Sequence, residues 1–186
     1  GLGNTQKWKK SSFSVNTAYI DLAPYQAAIP QNADWNKPFQ SLSGETVYRY
    51  HFENGLLKVY AAFDASRFDL TQENINSPVK IRVNLHNNNF SFIMSYKGNF
   101  GANWQIITGL SYGYGQNKIG IDSDDLKNGE NASHLKLKLI KRFSGRIKLS
   151  FGADYFSTRF DESFNQYSGA SFKNGYDANI AAVYTE

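Results

Sequence analysis

The chain has 186 residues, with 20 Lys and Arg against 16 Asp and Glu and a net charge of +4, a size that suits one domain better than two. The basic residues are scattered singly along the chain, and this spacing argues against a nucleic-acid interface. The absence of cysteine excludes disulfide bonds and thiolate metal sites. Aromatic residues make up 16% of the chain and favour strands, because their rings fit a pleated surface and crowd a helix.

The sequence contains no candidate for a helix that crosses a membrane. No apolar stretch approaches the roughly 18 residues that such a helix requires, and Gly1 to Asn4 do not begin a signal peptide. A membrane role must therefore be carried by strands. Any targeting signal is expected to lie outside this chain or to have been removed.

Alternation with a period of two predicts about eight strands. Each strand has large apolar or aromatic side chains on one face and small, polar or charged ones on the other. About nine to eleven residues per strand suit a tilted strand that crosses a membrane. In chain order the alternating runs are Phe13–Tyr19, Thr46–Phe52, Leu57–Phe63, Phe90–Tyr96, Trp104–Tyr114, Leu135–Leu139, Ile147–Tyr155 and Tyr176–Tyr184.

The clearest strand runs from Trp104 to Tyr114. One of its faces is apolar with aromatic residues at both ends, whereas the other is small or polar except for Ile107. Lipid outside, water or small groups inside and aromatic girdles at both interfaces produce this pattern. We therefore predict that the following residues face lipid: Leu57, Val59, Phe63, Phe92, Met94, Trp104, Ile106, Leu110, Tyr112, Leu135, Leu137, Leu139, Ile147, Leu149, Phe151 and Tyr155.

The connections between the predicted strands alternate in length. Short turns are predicted at Glu53–Gly55, Lys97–Asn103 and Phe143–Arg146, and long polar connections at about residues 23–43, 70–89, 116–131 and 158–174. Outer-membrane barrels have short turns on one side and long loops on the outer side. A further alternating run, Val79–Leu85, would break the up-and-down parity, so we interpret it as a hairpin arm above the membrane.

Alternation alone does not show which face of the sheet contacts water. A soluble sandwich or a lipocalin-like barrel also alternates, with its apolar face inward. The full apolar face of nearly every strand favours the membrane orientation, and the soluble binding module stays open as an alternative.

Three hairpins carry a resemblance to a known family. In the segments Val47–Tyr60, Tyr96–Trp104 and Leu139–Ile147, the chain resembles the barrel region of TonB-dependent outer-membrane receptors, particularly those of Bacteroidetes. The same rhythm of strands and turns covers nearly the whole chain. The family's TonB box and globular plug domain have no counterpart in it, and the chain does not end on the terminal aromatic residue typical of a completed barrel.

This resemblance implies that residues 1–186 are a single β-barrel segment, roughly the first third of an antiparallel transmembrane barrel of about 22 strands. It implies uptake of a scarce nutrient such as a siderophore, vitamin, glycan or peptide. The expected partners are outer-membrane lipid, the rest of the barrel with its plug, the TonB complex and a surface lipoprotein. No enzymatic activity, cofactor or nucleic acid is expected, and a self-contained eight-stranded barrel with a structural or adhesive role is the alternative.

The acidic loop from Asp122 to Glu130 offers closely spaced oxygen ligands. Asp122, Asp124 and Asp125 are candidate ligands of a hard cation such as calcium, although the loop has lysine at the sixth position, where an EF-hand loop has glycine. A solvated acidic loop is the alternative. The three histidines are isolated in sequence, which does not favour a metal centre.

The first long connection holds the candidate ligand contacts Tyr25, Trp35 and Phe39, beside Pro24, Pro30 and Pro38. Aromatic faces on a stiffened outer loop suit the capture of an apolar, sugar-like or chelate ligand. The alternative is that these rings pack the loop onto its neighbours.

The sequence contains no Gly-x-Ser-x-Gly elbow. The predicted inward carboxylates Asp64 and Asp154 are expected to pair with neighbours such as Lys58 and Lys148, or to hold the plug, rather than to act as acid or base.

Overall fold

The computed structural model describes residues 1–29, 33–74 and 77–186. Within these ranges the chain forms nine strands and one short helix, α1 (Ala23–Ala28). The strands are β1 (Leu2–Lys7), β2 (Ser11–Asp21), β3 (Ala33–Phe52), β4 (Gly55–Asn74), β5 (Ser77–Phe100), β6 (Trp104–Ile121), β7 (Asp124–Arg142), β8 (Lys148–Asn165) and β9 (Ser171–Thr185). They form one antiparallel sheet in sequence order, from β1 at one edge to β9 at the other. The predicted all-β antiparallel segment is confirmed.

The number of strands is nine rather than the predicted eight, because β1 has no alternating pattern of its own. Its sequence, LGNTQK, is polar on both faces and exposed throughout. It becomes a strand by pairing with β2, from Leu2 opposite Thr17 to Lys7 opposite Ser12. Backbone hydrogen bonds to a neighbouring strand form this element, and a side-chain pattern cannot reveal them.

Most of the predicted long loops are strand as well. In the described parts of 70–89, 116–131 and 158–174, most residues predicted as loop are strand, because the polar residues keep their alternation and pair across long hairpin arms. The run Val79–Leu85 is the first part of β5, continuous with the Phe90–Tyr96 segment. It therefore adds no separate strand, and the up-and-down order of the strands is kept.

The predicted turns at Glu53–Gly55 and Phe143–Arg146 connect successive strands at one end of the sheet, together with the turn between β1 and β2. The predicted turn Lys97–Asn103 lies at the same end but is shorter, because Lys97 to Phe100 belong to β5. We call this end the turn end, and the opposite end the far end. Gly101 has a φ of 58° in its turn, a conformation that glycine adopts without steric cost. Ile147 was predicted to lie in a strand, but its carbonyl accepts the amides of Phe143 and Ser144 in the turn between β7 and β8, and β8 begins one residue later.

The first predicted long connection contains α1. The Asp21 carboxylate accepts a hydrogen bond from the backbone N–H of Ala23 at 2.9 Å. The N–H of Leu22 donates to the Phe39 carbonyl at 3.0 Å, and this bond holds the start of the helix next to β3. In the part of the chain that the structure describes, no helix has the length and apolarity needed to cross a membrane.

An ion pair joins three strands near the far end, where β3 loses its regular register with β4 between Trp35 and Gln40. Asp69 on β4 is buried, with 5% of its surface exposed. Arg82 on β5 donates to both of its carboxylate oxygens, at 3.0 and 2.6 Å, and Asn36 on β3 donates at 3.0 Å. The hydrogen bonds from Arg82 outweigh the effect of burial and lower the pKa of Asp69 to about 2.

Replacement of this carboxylate by an amide, Asp69→Asn, is expected to lower the free energy of unfolding by about 1–2 kcal/mol at pH 7, because charge-assisted hydrogen bonds to a buried group are lost while Arg82 stays half-exposed. A lowered folded-state pKa stabilises the fold above the unfolded pKa of about 4, and this stabilisation disappears as pH falls toward 2. Urea titrations at pH 7 and pH 2 measure the difference. Asp161→Asn, at the exposed pair with Arg159, is the control. An equal loss of unfolding free energy in both variants, or a loss in Asp69→Asn that is as large at pH 2 as at pH 7, contradicts this prediction.

Candidate functional site

The strand register places the predicted lipid-facing residues on one face of the sheet. One row across five strands joins Val59, Met94, Leu110, Leu135 and Tyr155, each opposite the next. The other predicted residues follow in neighbouring rows of the same face, except Ile147, which lies in a turn. We call this side the outward face and the opposite side the inner face.

The last strand departs from this pattern. Its alternating residues Tyr176 to Tyr184 lie opposite Phe160 to Gly152 on the inner face, so the outward face of β9 carries Ala181 and Val183 instead. Tyr184 lies directly over Gly152, where an added Cβ would come within 2.1 Å of the ring. The absence of a side chain at Gly152 therefore admits this ring.

The burial pattern is the reverse of that of a soluble protein. Among the described residues, the only buried hydrophobic side chain is Ile140. Leu137 and Phe151 on the outward face are 42% and 48% exposed, whereas the carboxylate side chain of Asp154 on the inner face is only 12% exposed. A soluble sandwich or barrel would need these apolar side chains in a shared dry core, and the described residues contain no such core.

Aromatic rings border the apolar region at both ends. At the turn end, Phe100 stacks on Trp104 with centroids 5.9 Å apart, and Phe52 packs edge to face on Tyr96 at 5.8 Å. Lys141 places its ammonium 4.7 Å from the Trp104 ring. Toward the far end, the outward face carries a second group of rings, which consists of Phe63, Phe90, Tyr112 and Tyr114.

The distance between these two aromatic borders matches a membrane. Ten residue steps separate Trp104 from Tyr114, which is about 33 Å along a strand that rises about 3.3 Å per residue. For strands tilted by about 40°, the height along the membrane normal is about 25 Å, equal to the apolar band of outer-membrane barrels. We call the outward face between these two borders the apolar band.

Beyond the far-end aromatic border, the two faces exchange their character within each continuous strand. The outward face now carries Arg67, His86, Lys118 and Lys127, which lie opposite one another across β4 to β7. The adjacent inner-face positions form an apolar row across six strands, which consists of Phe68, Leu85, Ile119, Leu126, Phe164 and Phe172. The far half of the hairpins therefore has a water-facing exterior.

The sequence carries a signal for this exchange, which our predictions did not include. In β6 the apolar residues up to Tyr114 occupy even positions, except for Ile107, whereas Ile119 and Ile121 occupy odd positions. A change of phase within one alternating run marks the level at which a strand leaves the membrane.

At the level of the apolar band, the inner face carries charged groups that pair with one another. His134 Nε2 lies 2.7 Å from Asp154 Oδ1, its ring stacks on Phe156 with centroids 3.8 Å apart, and Lys136 Nζ lies 3.6 Å from the same carboxylate oxygen. Lys138 pairs with Glu186 at 2.7 Å. Asp154 therefore pairs with a lysine, as predicted, but the partner is Lys136 on β7 rather than Lys148. The predicted pairing of Asp64 with Lys58 is wrong, because no described ion pair joins them.

Among the described residues of the inner face, the serine and carboxylates near His134 do not form an assembled nucleophile. Ser111 lies opposite His134 in the register, but the only partner that His134 holds by a hydrogen bond within the described ranges is Asp154. Asp64 accepts a long hydrogen bond of 3.4 Å from Ser41. Covalent catalysis requires a nucleophile and a base in hydrogen-bond reach of each other, and these residues do not provide that contact.

The aromatic candidates of the first connection lie on different elements. Tyr25 is on α1 and is exposed. Trp35 and Phe39 are on β3 rather than in a loop, and Trp35 packs edge to face on Phe68 with centroids 6.2 Å apart, which matches the packing alternative for this ring. Pro30 lies outside the described residues. Ligand contact by the three rings stays a prediction.

The acidic segment is a tight hairpin rather than an open loop. Asp122 stands in the turn with a φ of 52°, and its carboxylate accepts the N–H of Arg82 at 2.7 Å. The Asp124 carboxylate instead accepts the N–H of Tyr167 at 2.8 Å, and Asp125 begins the regular pairing of β7 with β8. Within residues 1–29, 33–74 and 77–186, no three His, Cys, Asp or Glu side chains are grouped to hold a metal ion. Cation binding at these three aspartates has no support from this geometry.

The chain was compared with known proteins at the level of sequence and of structure. No protein-family model and no curated protein matches the sequence. One similar solved structure is the copper transporter OprC, with a TM-score of 0.65 and 7% identity, which covers 95% of this chain and 31% of OprC. Another is the ferric preacinetobactin receptor BauA from Acinetobacter baumannii, with a TM-score of 0.61 and 10% identity, which covers 97% of this chain and 36% of BauA. The alcaligin outer-membrane receptor FauA from Bordetella pertussis has a TM-score of 0.55 and 13% identity, and the match covers 98% of this chain and 32% of FauA.

At these identities the likeness concerns the fold alone. The chain spans about a third of the length of each of these proteins, and nearly all of its own length takes part in the match. Nine antiparallel strands joined in sequence order, with an apolar band on one face, therefore have the fold of a wall segment from these receptor and transporter barrels.

Proposed function

We propose that this chain forms part of the barrel wall of a TonB-dependent receptor in a bacterial outer membrane, of the type found in Bacteroidetes. The observation that carries the proposal is the apolar band, about 25 Å high, on the outward face of a continuous antiparallel sheet. The fold shared with OprC, BauA and FauA supports it. The receptor takes up a scarce nutrient of the siderophore, vitamin, glycan or peptide class.

Each surface of the wall has a separate task in this proposal. The apolar band faces acyl chains, and the charged inner face lines a polar interior that surrounds the plug. The far-end hairpin arms extend beyond the membrane, where Tyr25, Trp35 and Phe39 contact the nutrient. A surface lipoprotein assists capture, and the TonB complex supplies the energy that moves the plug.

Two alternatives have less support. A self-contained small barrel requires its edge strands to pair with each other, and β1 and β9 form no such ladder in the described sheet. A soluble binding module requires a dry core, whereas Ile140 is the only buried hydrophobic residue among those described.

Arginine on the outward face near the centre of the band tests the orientation. Leu110→Arg and Leu137→Arg are each expected to make folding into bilayers less favourable by about 2–4 kcal/mol, because a charge at the midplane is poorly solvated. The matched control is Ser111→Arg, at the next position of β6 on the inner face, and a much smaller effect is expected there. Equal penalties on the two faces, or no penalty at either leucine, would refute the orientation.

Growth on single limiting nutrients tests the transport role. Deletion of the gene is expected to abolish growth on one nutrient class, and the wild-type gene is expected to restore it. Uptake of that nutrient should stop when an uncoupler collapses the proton gradient across the inner membrane, because the TonB complex draws on that gradient. Unchanged growth on every class, or uptake that continues in uncoupled cells, argues against an energised receptor.

A further inference from the structure

Two adjoining depressions lie at the turn end of the sheet. The first lies at the turn between β7 and β8, has a volume of about 450 Å³ and includes Arg142, Arg146 and Lys148 in its lining. The second lies at the turn between β5 and β6 and has a volume of about 300 Å³. Asn103 and Arg142 line both depressions. Because they share these two residues, we call them together the turn-end basin.

Hydrogen bonds within the turn between β7 and β8 hold the backbone of the basin in place. The Ser144 hydroxyl accepts the N–H groups of Arg146 and Ile147 at 3.3 and 3.1 Å. A Cβ added at Gly145 would meet no atom within 4 Å, so the space above the middle of the turn is open. A ligand can therefore approach the backbone of the turn beside Arg146.

The basin carries positive charge that its own residues do not balance. Arg142 and Lys148 lie directly opposite each other in the register, an arrangement that destabilises a strand pair. The side chains of Arg142, Arg146 and Lys148 are exposed and form no ion pair within the described ranges. An anion bound from outside the chain would remove this repulsion.

The carboxylates at this end of the sheet are engaged or lie outside the basin. Glu186 is held by Lys138 at 2.7 Å, and Asp154 lies deeper on the inner face, near Lys136. Glu53 stands in the turn before β4 and lines neither depression. Among the described residues, none that lines the basin is acidic. The basin is therefore suited to an anionic ligand.

The chemistry of the lining favours carboxylates on a peptide. Each of the two guanidinium groups presents a planar fork of N–H donors that matches the two oxygens of a carboxylate. The side-chain amide of Asn103 has both a donor and an acceptor for peptide groups. Asn99 and Gln105 line the second depression and are joined by a hydrogen bond of 2.9 Å. A short acidic peptide combines the carboxylates and amide groups that these side chains bind.

The size and position of the basin indicate which acidic peptide fits. Sites of about 300–1,000 Å³ take small ligands, whereas a folded protein partner covers about 800 Å² of surface. In the proposed membrane orientation the turn end faces the periplasm, where peptidoglycan carries short peptides with several carboxylates. Exposed ion pairs bind a single peptide weakly, and a polymer that displays many copies compensates for this weakness by multivalent contact.

We propose that the turn-end basin binds the peptide carboxylates of peptidoglycan, with Arg142 and Arg146 as the main contacts and Lys148 as a supporting charge. This inference rests on the membrane orientation of the proposed function. The peptide lies across both depressions, and its carboxylates offset the repulsion between Arg142 and Lys148. Contact of this kind ties the barrel wall to the cell wall beneath the membrane and is separate from nutrient uptake.

Binding of a soluble muropeptide by the full-length protein in a non-ionic detergent tests the proposal. Calorimetry measures the dissociation constants of a disaccharide tetrapeptide and of the same muropeptide with amidated carboxylates. The wild-type protein is expected to prefer the form with free carboxylates, and this comparison does not depend on the folding of any variant. Arg142→Gln/Arg146→Gln should bind that form about tenfold more weakly, since two exposed ion pairs together contribute about 1.4 kcal/mol.

The matched control is Lys9→Gln/Lys10→Gln, which removes the same charge from the turn between β1 and β2. Strands β2 and β7 are five strand spacings apart, which is about 24 Å along the sheet. This control should therefore bind the muropeptide within about twofold of the wild type.

Equal affinity of the wild type for the two muropeptides, or equal weakening by the two double variants, overturns the proposal. A peptide of aspartates with the same net charge that binds as tightly as the muropeptide overturns the assignment to peptidoglycan. Loss of energised uptake would refute the transport role and leave this binding measurement intact.

Discussion

The structure depends on the need to satisfy every backbone hydrogen bond without water. In hydrocarbon an orphan N–H or C=O costs several kcal/mol, so a strand can cross only when it is paired along its whole length on both sides. Strands β2 to β8 meet this condition at the level of the apolar band, because each is in register with two neighbours there. Because the pairing uses only backbone groups, the side chains of the two faces can differ in polarity. This difference in polarity supports the proposed function.

The same ladder continues past the membrane, where the surroundings of each face change. Phe63 and Arg67 are on one face of β4 and are four residues apart, yet one suits an interface and the other suits water. The inner row from Phe68 to Phe172 becomes apolar at the same height. In the proposed orientation, one continuous strand is a membrane wall in one half and part of an external structure in the other, where nutrient capture is proposed.

Much of the sheet could be predicted from period-two alternation, because lipid on one face and a polar interior on the other impose opposite demands on neighbouring residues. The far-half hairpins were predicted as loops because Asn87, Asn117 and Asn128 are polar and strand propensity is weak there. These three asparagines in fact hydrogen-bond to one another across β5, β6 and β7, so pairing between distant segments decides their structure. Strand β1 depends on its pairing with β2, and the ion pair at Asp69 depends on Arg82 and Asn36, which are 13 and 33 residues away. The row formed by Arg67, His86, Lys118 and Lys127 appears only when four separate segments are placed in register.

In the proposed orientation, the outward face of β6 passes from acyl chains to water between Leu110 and Lys118. Since the chain contains no cysteine, nitroxide labels at Leu110→Cys, Ser111→Cys and Lys118→Cys report three defined positions of β6. In bilayers, the account predicts that the label at 110 relaxes with dissolved oxygen and is shielded from a water-soluble nickel chelate, whereas the chelate reaches the label at 118 and oxygen affects the label at 111 less than that at 110. A label at 110 that the chelate reaches as freely as the one at 118 would contradict the account.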